Sequence, residues 1–416
     1  VIESEQDNPT HWQRTLWIMF TSQLLSSVGF SMIFPFLPSY VHDLGSSLGI
    51  NLVFLSGAVF SGQAITMAIA SPIWGTIADR FGKKRMVERA MFGGSLILLA
   101  MAFSVNAEML VVLRAIQGFI SGTVAAANAL VAATAPRERT GYAMGVLQTG
   151  VWSGVALGPM LGGLVADAYG YAVSFYFTAG LLFLGGLLVH FGVVDVKTNG
   201  NSKKKSFIAD WKHVLVAPGV NYVFLIRFIG WLGRNILVPY LPLFMATLIV
   251  GQSQLNTLTG LAIGLSSAAG TVTSFFLGRI GDRYGHKLIL VICALLTMGL
   301  YIVQIWTTDI WQLIFLQTLT GAAAGGIMPV LSAILNLYIS PGEEGAAYGL
   351  DNSVTSLSRA VAPMVGAVVV YFSSYQGLFL AAAVLFGLTA VLAFWKLPKI
   401  SSQKSVVIPT PNKRLK

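Results

Sequence analysis

The chain is 416 residues long, 55% hydrophobic and only 10% charged, with a mean hydropathy of +0.74. Those values exclude a soluble globular protein and make a bilayer the medium in which the chain folds. The net charge of +10 could suggest a nucleic-acid partner, but its placement, described below, argues for membrane topology instead.

Apolar runs long enough to cross hydrocarbon, about 20 residues each, fall in chain order at about 16–40, 51–78, 88–105, 108–132, 141–166, 172–194, 220–246, 254–278, 288–306, 310–338, 346–370 and 375–395. The runs are continuous, not alternating. A backbone inside lipid must satisfy its own hydrogen bonds, so they predict helices and exclude a β-barrel. The first run follows a polar segment with Glu3, Glu5, Asp7 and Arg14 and has no small-residue cleavage site after it, so a retained span is expected. With the N-terminus placed in the cytoplasm, the inner loops and tails hold the basic residues, among them Arg80, Lys83–Arg85, Arg137, Arg139, Lys203–Lys205, Arg279, Arg283, Lys287 and Lys413, and the short outer loops hold no Lys or Arg. The basic excess therefore predicts both termini inside, in a multi-pass cell (inner or plasma) membrane protein. The single cysteine, Cys293, lies in the ninth run, so no disulfide framework is available.

The only long polar interruption lies between the sixth and seventh runs. It divides the chain into a six-helix half at 1–194, a cytoplasmic linker at 195–219, a second six-helix half at 220–397 and a cytoplasmic tail at 398–416. The halves repeat. Gly75, Asp79, Arg80 and Gly82 recur at an offset of 203 as Gly278, Asp282, Arg283 and Gly285; Arg114 to Gly118 aligns with Gln317 to Gly321, and Gly158-Pro159 with Gly162 aligns one residue later with Ala362-Pro363 and Gly366. Two parallel six-span halves with a site between them at the midplane describe a rocking transporter.

The repeated loop joins spans two and three on the inner face, where Gly75 and Gly82 permit close approach and a sharp turn. Asp79 is then placed to face a helix N-terminus, and Arg80, Lys83, Lys84 and Arg85 to pair with carboxylates or lipid phosphates. With Gly278, Asp282, Arg283 and Gly285, these residues are expected to latch the halves in the outward-open state; a merely basic inner loop is the simpler alternative.

These motifs together resemble the major facilitator superfamily across all twelve spans. Arg114-Ala-Ile-Gln-Gly118 is similar to its fourth-helix signature, and Gly154-Val-Ala-Leu-Gly158-Pro159-Met-Leu-Gly162-Gly163 to the fifth-helix signature of its drug:proton antiporters. Phe34-Pro-Phe-Leu-Pro38, Ala70 to Gly75 and Asn128-Ala-Leu look most like the MdtG-type bacterial multidrug exporters. The resemblance implies an all-α major facilitator fold of twelve transmembrane helices, efflux driven by a proton gradient without a bound cofactor, and a cavity-sealing role for Gly154, Gly158, Pro159, Gly162 and Gly163. Physically, these small residues let the fifth helix approach a neighbour, expected to be the eighth, across the half interface, and Pro159 weakens the helix locally.

Four arginines lie within spans: Arg114, Arg227, Arg234 and Arg359. A lipid-facing arginine is costly, so each should face the interior. The resemblance links Arg114 to proton transfer, and because an arginine keeps its proton its part would be to tune a neighbouring acid or hold water; structural snorkelling is the alternative. Asp351 is the clear interior carboxylate, expected to pair with Arg234 or Arg359 in one state and to be protonated in another, or to form a structural salt bridge. The first span offers Gln23, Ser26, Ser27 and Ser31 but no acid. The interior charges then sum to about +3, which should favour neutral, zwitterionic or anionic amphiphiles over permanent cations. Gln23, Phe30, Phe34, Gln63, Asn128, Trp152, Arg227, Trp231, Asn235, Gln317 and Met328 are the candidate substrate contacts, chosen as sparse polar groups among aromatic and methionine surface.

No phosphate-binding Gly-x-x-x-x-Gly-Lys-Ser/Thr loop and no metal-ligand spacing occurs in the sequence, so neither ATP drive nor metalloenzyme chemistry is supported. The expectation is a monomeric, proton-coupled exporter of small amphiphiles that also contacts membrane lipids and binds no nucleic acid. An exporter or flippase of an anionic metabolite, sugar or lipid, and a ligand receptor that transports nothing, remain the alternatives.

Overall fold

The computed structural model describes residues 9–194, 219–249, 254–339 and 344–397; the predicted linker, except for Gly219, and the predicted tail lie outside the described residues. Within them the chain is all-α: α1 (Pro9–Met32), α2 (Leu37–Leu44), α3 (Leu52–Phe81), α4 (Lys83–Met101), α5 (Ala107–Ile120), α6 (Thr123–Thr134), α7 (Thr140–Tyr169), α8 (Tyr171–Gly192), α9 (Val220–Asn235), α10 (Leu241–Leu248), α11 (Leu255–Tyr284), α12 (His286–Gln304), α13 (Ile310–Ala324), α14 (Ile327–Tyr338), α15 (Glu344–Phe372) and α16 (Tyr375–Lys396). Four helical rods are broken in two, α1/α2, α5/α6, α9/α10 and α13/α14, so the sixteen described helices are arranged as twelve rods in two sets of six, which are called crossings below.

Nine helical segments of the described residues are long and apolar enough to span a membrane, and the bent pair α1/α2 adds a tenth. The other two differ for separate reasons, α4 by its charged first turns and α9 by its short length. α4 begins with Lys83, Lys84, Arg85, Glu88 and Arg89, and α9 carries Arg227 and Arg234 in 16 residues.

Proline accounts for the α1/α2 and α9/α10 breaks, whereas the α5/α6 and α13/α14 breaks fall at glycines, Gly122 and Gly325-Gly326. Pro35 and Pro38 flank the 44° bend between α1 and α2, and Pro239 and Pro242 stand at the matching break in the second half. A proline lacks the N–H that would continue the helix, yet fits the first turn of the next one. The duplicated turns match in backbone geometry as well as sequence. Gly82 (φ 98°, ψ 144°) links α3 to α4, and Gly285 (φ 98°, ψ 127°) links α11 to α12, each donating its N–H back to a carbonyl four residues earlier. Positive φ at both positions is accessible to glycine without a Cβ penalty.

Each half has its own apolar interior. One cluster, centred on Phe244, Phe379 and Phe386, is built from buried residues of the second half. Two more, around Phe36 and Phe175 and around Met19 and Leu147, are built from buried residues of the first. The halves meet where α7 lies against α11 and α3 against α15. Large apolar side chains such as Phe183, Phe276, Phe315 and Trp395 stand exposed on the outside of the bundle, as a surface solvated by lipid requires.

Candidate functional site

The two halves are joined at one end of the bundle. The hydrogen bonds between described residues that cross from half to half all lie at the end where α7 finishes and α11 begins; we call it the sealed end. Toward the opposite end, where α3 turns into α4 and α11 into α12, Tyr142 and Trp152 of α7 and Tyr348 of α15 are exposed.

The fifth-crossing glycines shape the seal, but they divide between two neighbours. A Cβ at Gly154, Gly158 or Gly162 would overlap α1, at Ser27 and Val28, at Ser31 and at the Met32 carbonyl respectively. Only Gly163 faces α11, where a Cβ would strike the Asn256 carbonyl. Successive helical residues are turned by about 100°, so Gly162 and Gly163 cannot serve one neighbour. This corrects the expectation of a single face toward the eighth crossing. α11 contributes its own small residues instead: a Cβ at Gly260 would overlap the Pro159 carbonyl, and one at Gly264 would lie 2.8 Å from the Ala156 carbonyl. The α1 contact is mirrored in the second half, where a Cβ at Gly366 would lie 2.7 Å from the Ile236 carbonyl.

Asp167, near the C-terminal end of α7, completes the seal. Its carboxylate accepts hydrogen bonds from the backbone N–H of Asn256 (3.3 Å) and Thr257 (2.7 Å) and from the Asn256 side-chain amide (2.8 Å). The free N–H groups of a helix start favour an anion, and here the anion comes from the other half. The sequence reading missed Asp167; the available signal was a carboxylate at the end of a glycine-rich span whose outer loop is otherwise free of charge. Nearby, the Tyr240 hydroxyl donates to the Pro363 carbonyl at 2.6 Å and approaches the Val53 carbonyl at 3.5 Å, and a Cβ at Gly57 would collide with both Tyr240 and Pro363.

At the opposite end, the side-chain positions of Gly75, Asp79 and Arg80 lie outside the described residues. The described members of the expected latch contact only their own half. Lys84 donates to the His190 carbonyl at 2.6 Å and lies 3.7 Å from Glu88; Arg85 is exposed. Asp282 is exposed and 3.4 Å from His286 one turn on, Arg283 lies beside Tyr284, and Gly278 faces open space.

The four interior arginines have three different environments. Arg114 is fully buried and held entirely by neutral groups: it donates to Gln63, to Gln117 at 2.5 Å and to the Val59 carbonyl at 3.4 Å. Its fork ties α5 to α3. Gln63 is therefore occupied by Arg114, a correction to its expected role in substrate contact.

Arg227 and Asp351 form a buried ion pair at 2.6 Å, and Arg227 also donates to Ser332 at 2.8 Å. Asp351 was expected to pair with Arg234 or Arg359, and Arg227 to contact substrate; depth explains the difference. Arg227 lies seven residues into α9 and Asp351 seven into α15, whereas Arg359 is eight residues farther along α15, about 12 Å at the helical rise. The pair is incompletely satisfied, since Asp351 Oδ1 and Arg227 Nε are buried without partners.

Arg234 and Arg359 are then the arginines left over. Both lie over the ring of Trp231, at 5.8 and 4.7 Å from its centroid, and neither makes an ion pair among the described residues. Arg359 is solvent-accessible although it sits midway along α15, so it lines space inside the bundle. Arg227 alone is neutralised, by Asp351. Arg114 keeps its charge inside a shell of neutral acceptors that occupy its fork, which leaves Arg234 and Arg359 as the interior arginines with neither a carboxylate nor such a shell among the described residues.

The remaining candidates separate in the same way. Phe30 packs toward Gly94 beside Leu182, Phe34 lies 5.9 Å from Phe60, and Gln317 is buried and donates to Gln304 at 2.9 Å. These three belong to the interiors of their halves, contrary to expectation, because aromatic and amide side chains on a crossing face whichever neighbour the helix packing presents. The Gln317–Gln304–Thr320 chain, with Gln304 in the middle, occupies the place in the second half that Arg114 and Gln117 hold in the first. Asn235 donates to the Trp231 carbonyl at 2.7 Å, and Met328 approaches the Gly230 position. Gln23 and Asn128 keep buried amide atoms without partners, as does the indole N–H of Trp231, and Trp152 is exposed. Cys293 is buried and free.

Comparison with known proteins agrees with this architecture. The family profile described as Major Facilitator Superfamily matches residues 19–255 and, a second time, 223–415. The chain is similar to the "Multidrug resistance protein MdtG" of Salmonella paratyphi A, at 33% identity over 91% of this chain and 94% of the relative, and to its counterpart in Salmonella arizonae, at 32% with the same coverage. Among solved structures, a bacterial homolog of the human lysosomal transporter Spinster, in an inward-facing and occupied conformation, superposes with a TM-score of 0.76 at 12% identity, covering 93% of this chain and 97% of that one. The nucleoside transporter NupG gives 0.75 at 15%, covering 91% and 97%. The human organic anion transporter MFSD10 gives 0.64 at 18%, covering 93% and 100%.

Proposed function

The chain belongs to the Major Facilitator Superfamily of membrane transporters, and from that premise we propose that it exports amphiphilic small molecules in exchange for protons by alternating access. The observation that carries this reading is the one-ended seal. Two helical bundles with separate cores, joined at one end by Asp167 and close glycine contacts, can rock about that contact and expose an interior site to either face. The charge asymmetry supports the orientation: loops at the sealed end have no Lys or Arg while the opposite end is basic, so the seal faces outward and both termini face the cytoplasm of a cell membrane protein. The multidrug-resistance names of relatives at 32–33% identity support export of drug-like molecules. In this reading the protein acts as a monomer of two halves joined by the 195–219 linker.

Coupling is assigned to Asp351. Its carboxylate lies 2.6 Å from Arg227 through one oxygen and keeps the other buried without a partner. A proton arriving from the opposite face in the other state would neutralise it and release Arg227, so the charge inside the second half depends on proton occupancy. Arg114, without a carboxylate partner, acts on the first half as a structural fork.

The test is flux in proteoliposomes under an imposed pH gradient. The gradient should drive substrate against its own concentration gradient in the native protein. Asp351→Asn should retain exchange but lose the response to pH, and an unchanged response would remove Asp351 from coupling. Binding without flux under any gradient would replace the transporter reading with that of a receptor.

A further inference from the structure

We infer that Arg234, Trp231 and Arg359 form a subsite for the anionic group of the substrate, a carboxylate or phosphate-type anion carried on an apolar body. The inference rests on the transporter reading and narrows its substrate class.

Two guanidinium groups lie over one indole ring, from α9 at 5.8 Å and from α15 at 4.7 Å. Stacking on an aromatic face stabilises each cation but does nothing to neutralise it. Like charges gathered in a low-dielectric interior repel, and the usual remedy is a carboxylate. One carboxylate, Asp351, stands where these two helices meet, but it is occupied at 2.6 Å by Arg227, and it lies eight residues from Arg359 along α15. The residual positive charge is therefore built in and not offset among the described residues.

Geometry adds to charge. The planar guanidinium fork matches a carboxylate or phosphate in two parallel hydrogen bonds, and Arg359 is solvent-accessible in mid-helix, so an incoming ligand can reach it. The indole N–H of the same ring is buried and has no acceptor. Met328 reaches the neighbouring Gly230 position, its methyl 3.7 Å from where a Cβ would stand, and supplies adaptable apolar surface beside the charge. An amphiphile with one anionic end satisfies both features; a permanent cation meets two arginines with no counter-charge.

The inference is tested by binding, independently of flux. Purified protein in phosphatidylcholine nanodiscs is titrated calorimetrically with 4-phenylbutyrate, 4-phenylbutanol and 4-phenylbutylamine, which share a body and differ in charge. The butyrate should bind at least about tenfold more tightly than the amine, with the alcohol between. Arg234→Gln and Arg359→Gln should each weaken the butyrate by about tenfold or more, the scale of a lost hydrogen bond to a charged group, while Arg279→Gln, which removes an exposed charge stacked on Phe275, should change nothing. Dihexanoyl phosphatidate as competitor separates the sources of the anion: displacement of butyrate extends the subsite to lipid headgroups, and failure to displace confines it to small amphiphiles. Equal affinity for amine and butyrate in the native protein overturns the inference whether or not the variants fold. So does undiminished butyrate binding in a monodisperse Arg234→Gln/Arg359→Gln protein. If an amine is transported while butyrate does not bind, the subsite falls and the transporter reading stands; if butyrate binds but nothing is transported, the reverse holds.

Discussion

The Asp167 carboxylate of the first half accepts a 2.7 Å hydrogen bond from the backbone N–H of Thr257 in the second. It caps a helix that belongs to the other bundle, so breaking the cap and parting the halves at that end are the same event. Capping carboxylates contribute about 0.5–2 kcal/mol. Asp167→Asn keeps an acceptor but loses the charge, and should shift the population toward opening at the sealed end by about 2- to 30-fold on that scale. Spin labels at the exposed positions Val105 and Phe372, one in each half, would report the shift as a longer distance component. Identical distance distributions in the native protein and the variant would show that Asp167 does not hold the seal.

The glycines of α7 should divide by neighbour. Gly163→Ala places a methyl against the Asn256 carbonyl, a backbone atom that cannot step aside, and overpacking of this kind costs about 1–3 kcal/mol. Gly145, with nothing within 4 Å of a Cβ, should gain about 0.5–1 kcal/mol from the same substitution through the lower entropy of alanine in a helix. Thermal midpoints in one detergent would order the three proteins as Gly145→Ala, native, Gly163→Ala. The opposite order would mean that the helices separate more readily than the close contact implies.

The buried pair Arg227–Asp351 should be costly to halve and cheap to replace. Removing one partner of a buried ion pair destabilises by about 3–5 kcal/mol, whereas apolar residues of similar size at both positions are often neutral. Arg227→Gln alone should therefore melt well below the native protein, and Arg227→Met/Asp351→Leu close to it. The double variant should nonetheless be blind to a pH gradient in the flux assay. A double variant that still responds to pH would place the coupling group elsewhere.

Arg114 separates stability from coupling. Lysine keeps the charge but cannot reach Gln63, Gln117 and the Val59 carbonyl together, and each buried acceptor left unmade costs about 1–3 kcal/mol. Arg114→Lys should lower the melting temperature while leaving the response to pH intact. A normal melt with lost pH response would return Arg114 to the proton pathway.

Much of the fold was legible in the sequence because its signals are local or repeated. Gly82 and Gly285 are one turn written twice, and both adopt φ 98°. Pro38 and Pro242 start the helices after matching breaks. The site was less legible. Gln63 read as a cavity amide until Arg114 was seen to hold it, and Gln317 until Gln304 was. A polar residue on a crossing has several neighbouring helices to face, and spacing within its own helix does not say which.

The linear chain determined the medium, the class and the duplication, since twelve apolar stretches can satisfy their backbones in lipid only as helices and a repeated motif needs no coordinates to be seen. It also placed the four arginines inside. Which of them meets a carboxylate was decided only by tertiary structure, through the relative depth of α9 and α15: the first level brings Arg227 onto Asp351, and the next brings Arg234 and Arg359 to Trp231 with no carboxylate beside them among the described residues. The seal was decided in the same way. Asp167 and Thr257 are ninety residues apart in sequence, and only the docking of one bundle on the other makes a carboxylate from the first the cap of a helix in the second.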